Sequence, residues 1–130
     1  MKTALVLSGG GSRGAYEIGA YQALLDMDIA IDMVVGSSIG AMNAYVIAQK
    51  KLETAKAFWM SLRTDEVFDR SLSGKNFGAS FDGIKKLLDA NFSEEAVRSS
   101  DIDFGICTVK LPEEFRRDGS LDFSLFKEAL

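Results

Sequence analysis

Two short apolar runs, each closed by glycine and followed by a helical pattern, constrain the fold more than any other feature of the sequence. The first run is Ala4–Leu7 and the second is Met33–Val35. Runs of this length that are bounded by glycine are typical of strands buried on both faces of a parallel sheet. They lie about thirty residues apart with a helix between them, which is the size of a right-handed βαβ unit. The sequence therefore predicts an α/β domain in which helices flank a parallel sheet.

The spacing of apolar residues predicts the remaining elements. Helices are expected over residues 14–27, 39–49, 52–62, 82–90 and 93–98, and from residue 123. The inward faces of the first and third helices consist of apolar residues at helical spacing: Ile18, Tyr21 and Leu25, and Leu52, Ala55, Trp59 and Leu62. Ser93 is expected to be the N-cap of the helix that it begins. A third strand is expected over residues 102–111, with Cys107 buried inside it, and a loop over residues 69–80.

The predicted strands do not make a complete sheet. About three are expected, whereas a sheet usually has about five to six. The last helical pattern reaches Leu130 with neither a capping residue nor a glycine after it. We therefore interpret residues 1–130 as the N-terminal portion of one larger domain. The exposed edge of its sheet is expected to favour self-association.

The composition excludes several kinds of site and partner. The chain has 130 residues and no histidine, so it can form neither a Ser-His-Asp triad nor an imidazole metal site. Its single cysteine cannot form an internal disulfide, which fits a reducing compartment. The net charge of −4 argues against nucleic acid as a partner. Because no apolar run approaches the roughly 18 residues of a spanning helix, we expect a cytoplasmic protein whose membrane contact is peripheral.

A glycine-rich turn, Gly9–Gly14, joins the first predicted strand to the first helix. Its backbone amides are not obstructed by Cβ atoms, and they lie at a helix N-terminus, where the dipole favours an anion. Such a turn holds either a phosphate or the oxyanion of an acyl-transfer intermediate. A dinucleotide-binding module stays open as an alternative, because it uses the same glycines and Asp32 lies near the distance of a ribose-binding acid.

A second turn, Gly36–Gly40, joins the second strand to the second helix and has the pattern G-x-S-x-G. This pattern is typical of a nucleophile elbow, in which Ser38 occupies a strained turn and the flanking glycines, Gly36 and Gly40, relieve crowding. Both turns follow the carboxyl ends of neighbouring parallel strands, so they are expected at one edge of the sheet. Amides of the first turn would then face the Ser38 hydroxyl, which is the geometry of acyl transfer.

The two motifs with their flanks, Leu7–Tyr16 and Gly36–Ala44, resemble the patatin-like lipid acyl hydrolases. The resemblance implies a three-layer α/β/α fold, a Ser-Asp dyad, no metal or cofactor, and lipid acyl esters as substrates. It implies that residues 1–130 are the N-terminal portion of one patatin-like catalytic domain. The roles that it implies are a nucleophile, Ser38, an oxyanion hole, Gly9, Gly10 and Gly11, and support of that loop by Arg13 and Gly14.

The dyad aspartate departs from the family pattern. In the family it precedes Gly-Gly or Gly-Ala, but the two Asp-Gly pairs of this chain continue as Asp82-Gly83-Ile84 and Asp118-Gly119-Ser120. Asp118 is the stronger of two weak candidates, and a turn is the favoured interpretation of both. We therefore expect the dyad aspartate to lie beyond this chain and the chain alone to be inactive. A non-catalytic lipid-binding fragment stays open as an alternative.

Overall fold

The computed structural model describes residues 1–62, 88–110, 116–117 and 120–121. Its centre is a parallel three-stranded sheet with the strand order of the sequence: β1 (Ala4–Leu7), β2 (Met33–Gly36) and β3 (Asp103–Ile106). The register pairs Leu7 with Gly36 and Gly36 with Ile106, so the three strands end together at one edge. Two further short strands, β4 (Arg116–Arg117) and β5 (Ser120–Leu121), pair with each other in antiparallel fashion.

The first three predicted helices are present, and each ends one residue earlier than expected. They are α1 (Gly14–Asp26), α2 (Ile39–Ala48) and α3 (Leu52–Ser61). A short 3-10 turn, Gly11–Arg13, leads into α1. The parallel sheet and the flanking helices confirm the predicted α/β class and are consistent with the α/β/α fold that the resemblance implies.

The helix predicted over residues 93–98 is present as α4 (Glu94–Arg98) and begins as its sequence predicts. The Ser93 hydroxyl accepts a hydrogen bond from the Ala96 amide at 3.2 Å, which confirms Ser93 as the N-cap. The predicted loop over 69–80 and the helix from 123 lie outside the described residues. So does most of the helix predicted over 82–90, of which 88–90 are helical.

The described core lies where α1, α2 and α3 cover one face of the sheet. Leu7 and Val34 point to that face and pack among buried residues of all three helices, including Ile18 and Ile47. Side chains alternate along a strand, so Val6 points to the opposite face, where it is 75% exposed. Leu25 differs from the predicted helix faces, because it is 37% exposed rather than inward. On α3, Phe58 is buried beside Ala55 at 7% exposure, as expected of a residue that packs the helix.

The third strand is shorter than predicted, and this changes the environment of Cys107. The strand ends at Ile106, and Cys107 is exposed rather than buried inside it. The Cys107 amide still donates to the Gly36 carbonyl at 2.8 Å. Beyond that bond no described residue pairs with β3, because β2 ends at Gly36 and the chain turns into α2. A strand continues only while a neighbouring strand supplies its hydrogen bonds.

Ile47 on α2 is 1% exposed, and truncating it tests where the core lies. We expect Ile47→Ala to lower the free energy of unfolding by about 2–5 kcal/mol, because it removes buried methyl groups and leaves a cavity. Met60, which is 87% exposed on α3, supplies the control: Met60→Ala should change stability by less than about 0.5 kcal/mol. Urea denaturation followed by Trp59 fluorescence measures the free energy of unfolding of both variants. Equal losses of stability would contradict the placement of Ile47 in the core.

Candidate active site

Ser38 occupies a strained position between β2 and α2. Its backbone angles are φ 51° and ψ −126°, a combination that residues with a side chain rarely adopt. The residue is the N-cap of α2, yet its side chain makes no capping hydrogen bond. The hydroxyl is therefore not used to hold the helix end, and the strain is of the kind that accumulates at functional sites.

The glycines on either side of Ser38 are required by close backbone approach. A Cβ atom on Gly36 would collide with the carbonyl oxygen of Gly40. A Cβ atom on Gly40 would lie 2.6 Å from the carbonyl oxygens of both Leu7 and Ser8. The first turn of α2 is thus pressed against the end of β1, and only glycine permits that contact.

The glycine loop lies directly beside Ser38, as expected from the two parallel strands. A Cβ atom built on Gly9 would lie 3.2 Å from the Cβ atom of Ser38. Gly11 has a φ of +58° and begins the turn into α1. Across the described residues, the amides of Gly9 and Gly10 donate to no carbonyl or side chain. Within the described residues, free backbone donors and a hydroxyl without a hydrogen-bond partner therefore share one edge of the sheet.

The amide of Ile39, the residue after Ser38, is a further donor that the sequence analysis did not single out. It begins α2, and nothing in the described part of the chain accepts its hydrogen bond. The signal was present in the motif, because in a nucleophile elbow the residue after the serine commonly supplies an oxyanion-hole amide. The helix dipole adds positive potential at the same point.

Arg13 and Gly14 end the loop and support it in different ways. The Arg13 amide donates to the Gly10 carbonyl at 3.2 Å, while its side chain is exposed and forms no ion pair within the described residues. Gly14 is buried, and a Cβ atom there would lie 2.6 Å from Ile39 and 2.9 Å from Trp59. Gly14 is thus the point at which the loop meets α2 and α3.

A buried amide, which the sequence analysis also missed, connects these helices. Asn43 on α2 is 2% exposed. Its Nδ2 donates to the Gly14 carbonyl and to a Glu17 carboxylate oxygen, each at 2.8 Å, and its Oδ1 accepts from Trp59 Nε1 at 2.9 Å. The available signal was a single amide side chain within an otherwise apolar helix, since a buried polar group needs hydrogen-bond partners.

An apolar cavity of 680 Å³ opens beside the first turn of α2. Its lining includes Met42 on α2 and Ile106, the partner of Gly36. Aromatic side chains such as Tyr45 and Phe104 also line it, together with the charged residues Asp89, Glu94 and Arg98. Burial raises the pKa of Tyr45, and the nearby carboxylates of Asp89 and Glu94 raise it further, so this hydroxyl stays neutral. The cavity therefore offers a largely apolar volume, with charged groups in part of its wall, beside the helix that begins after Ser38.

Asp32 does not occupy the position that a dinucleotide-binding fold requires. It precedes β2, accepts a hydrogen bond from the Thr3 amide at 2.6 Å and donates its own amide to the Thr3 carbonyl. A ribose-binding acid belongs at the carboxyl end of that strand, beside the glycine loop. The interpretation of Asp32 as such an acid is wrong, because Asp32 lies at the opposite end of the sheet.

The two aspartates considered for a dyad, Asp82 and Asp118, both lie outside the described residues. In the part of the chain that the structure describes, no helix combines the length and the apolar character needed to span a membrane.

Comparison with known protein families shows where the chain belongs. The family described as patatin-like phospholipase matches residues 5–128. The chain belongs to the patatin-like phospholipase family. The match includes both glycine turns, and it extends well beyond the two motifs that carried the resemblance.

Curated relatives of this patatin-like chain are much longer proteins. Patatin-like phospholipase domain-containing protein 7 of Rattus norvegicus is 42% identical over 48 residues, which are 37% of this chain and 4% of that protein. Lysophospholipase nte1 of Aspergillus terreus is 47% identical over 45 residues, 35% of this chain and 3% of that protein. Neuropathy target esterase sws of Drosophila persimilis is 44% identical over 61 residues, 40% of this chain and 4% of that protein. No solved structure matches the chain significantly.

The strain at Ser38 can be measured by substitution. We expect Ser38→Gly to raise the free energy of unfolding of this patatin-like chain by about 1 kcal/mol relative to Ser38→Ala, because glycine adopts a positive φ without steric cost. Ser37→Gly is the matched control, since Ser37 has no positive φ, and it should not stabilise. Urea denaturation provides the comparison, and a stabilising Ser37→Gly with a neutral Ser38→Gly would be the contrary result.

The contact of Gly40 with the end of β1 predicts the effect of a single added methyl group. Gly40→Ala should destabilise the protein by about 1–3 kcal/mol, the usual cost of overpacking, because the new Cβ must push two carbonyl oxygens away. Gly19→Ala on α1 is the control, since a Cβ there meets nothing within 4 Å and alanine favours a helix. Thermal denaturation of both variants distinguishes them, and equal melting temperatures would contradict the close approach.

Proposed function

We propose that this protein is a serine acyl hydrolase that cleaves ester bonds of phospholipids or related lipids. Ser38 is the nucleophile, and the amides of Gly9, Gly10 and Gly11 form the oxyanion hole. The observation that carries the proposal is the adjacency of Gly9 to a strained Ser38 at the ends of two neighbouring strands. Family membership supports lipid hydrolysis, and the relatives named above include a lysophospholipase and an esterase.

The chemistry is a two-step acyl transfer. The Ser38 hydroxyl attacks the ester carbonyl, and an aspartate accepts its proton. The negative charge that develops on the carbonyl oxygen is met by amides of the glycine loop, joined by the Ile39 amide. Each such donor lowers the barrier by about 2.7–4 kcal/mol. The tetrahedral intermediate collapses, the leaving alcohol takes the proton, and water then releases the fatty acid from the acyl-enzyme.

The dyad aspartate lies outside the described residues in this proposal. We expect it downstream of this chain, with Asp118 as a weaker candidate. Residues 1–130 are then the N-terminal portion of one catalytic domain and are inactive by themselves. Losing one member of such a catalytic set costs about 10⁴-fold or more in rate.

The glycine loop stabilises the developing charge, and the cavity binds the acyl chain. Gly14 and the Arg13 backbone keep the loop in shape, and the exposed Arg13 guanidinium adds positive potential near the developing charge. The cavity between α2 and β3 accepts an acyl chain, since most of its lining is aliphatic and aromatic. The enzyme is cytoplasmic and reaches its lipid by peripheral contact. An exposed sheet edge permits self-association.

The full-length protein tests the assignment of the nucleophile directly. A fluorophosphonate probe should label it at Ser38. Ser38→Ala should abolish this labelling and lower the rate of hydrolysis of a phospholipid ester by about 10⁴-fold or more, which is the usual effect of removing one catalytic residue. Ser37→Ala is the matched control and should still be labelled. Mass spectrometry of the labelled peptide identifies the serine.

Three outcomes bear on the proposal. A folded protein that resists labelling would overturn the assignment of Ser38. Lipid binding without turnover, unchanged in Ser38→Ala, would instead identify a non-catalytic lipid-binding protein. Labelling of the chain that ends at Leu130 would contradict the expectation that the dyad aspartate lies downstream.

A further inference from the structure

Asn43 is the most deeply buried polar side chain of the described residues, and it lies one helical turn after Ile39. Only 2% of it is exposed, in the middle of an apolar helix. Burial of an amide is unfavourable unless its donors and acceptor are satisfied. Here both Nδ2 protons and the Oδ1 atom have partners, and no buried side-chain polar atom in the described part of the chain lacks one.

The partners leave the Asn43 amide only one orientation. The Gly14 carbonyl and the Glu17 carboxylate can only accept hydrogen bonds, so they face the Nδ2 group. The Trp59 indole can only donate, so it faces Oδ1. A flipped amide would break all three bonds at once. The side chain therefore connects α2 to α1 and α3 in one defined geometry.

Asn43 binds α1 at Gly14, which is also the last residue of the glycine loop. The loop runs from the end of β1 to Gly14, and its first end is fixed by the pairing of Leu7 with Gly36. Its second end is fixed by the Asn43 bond to the Gly14 carbonyl. Because α2 also carries Ser38 at its N-terminus, Asn43 joins the far end of the loop to the helix of the serine.

We propose that Asn43 is a positioning residue that keeps the backbone amides of the Gly9–Gly11 loop aligned with Ser38. The inference rests on the proposed function and adds to it the residue that maintains the alignment. Asn43 does not touch the substrate. Its two bonds to α1 hold the loop, and its bond from Trp59 prevents the amide from turning away.

The decisive variant is Asn43→Ala in the full-length protein. Misplacing a catalytic group by about 1 Å lowers the rate about 10²-fold. We therefore expect kcat and the rate constant of fluorophosphonate labelling to fall about 10²-fold, while KM stays within about twofold of that of the unmodified protein. The control is Ile47→Ala, which lies on the same helix, is 1% exposed and has no polar side-chain group. It should lower stability without lowering kcat at a temperature at which both variants are folded.

A second pair of variants keeps the test decisive if Asn43→Ala does not fold. Glu17 is half-buried in the first turn of α1, so substitutions there are tolerated more easily. Glu17→Ala removes one of the two bonds to α1 and should lower kcat about tenfold, since one of two anchors remains. Glu17→Gln keeps an acceptor oxygen for Asn43 and should restore the rate to within about twofold of the unmodified protein.

The results separate failure of this inference from failure of the proposed function. If the unmodified protein is labelled at Ser38 but Asn43→Ala and Glu17→Ala react at its rate, the positioning role is wrong and the proposed function stands. If Ile47→Ala loses as much kcat as Asn43→Ala at equal stability, the effect of Asn43 is structural and the inference is again wrong. If the unmodified protein is not labelled at all, the proposed function fails and the inference fails with it.

Discussion

The close approach of the first turn of α2 to the end of β1 is the contact on which the rest of the site depends. Gly40 lies so near the carbonyl oxygens of Leu7 and Ser8 that no side chain fits between them. This contact places the helix start over the sheet edge from which the glycine loop emerges. It thereby brings Gly9 beside Ser38. A fold with a longer spacing at this point would keep both turns but separate the donors from the hydroxyl.

The strain at Ser38 is sustained by the elements on either side of it. Residues with unfavourable backbone angles persist only where the surroundings determine their conformation, at a cost of about 1–3 kcal/mol each. Here β2 is paired on both sides, so its carboxyl end at Gly36 cannot shift. The helix that follows is buried along most of its length, which prevents it from rotating to relieve the turn. The serine is thus held between two rigid elements.

The site combines an apolar environment with a small number of fixed polar groups. The cavity between α2 and β3 supplies apolar volume, and the network around Asn43 supplies rigidity on the opposite side of α2. Such networks specify one arrangement of helices, because a partly satisfied set of buried polar groups is unfavourable. Under the proposed function, this arrangement would let an acyl chain enter without loosening the amides proposed to stabilise the oxyanion.

The sequence by itself determined the features that depend on neighbouring residues. The positions of β1, β2 and the first three helices, the two glycine turns and the Ser93 cap all follow from local spacing and backbone chemistry. The tertiary structure decided what depends on residues far apart in the chain. Asn43 donates a hydrogen bond to Gly14, which lies 29 residues earlier in the chain. The strand β3 ends at Ile106 because its partner β2 ends at Gly36. The physical reason is that hydrogen-bond partners, strand ends and helix faces are set by which elements lie side by side, and a linear pattern contains that information only in part.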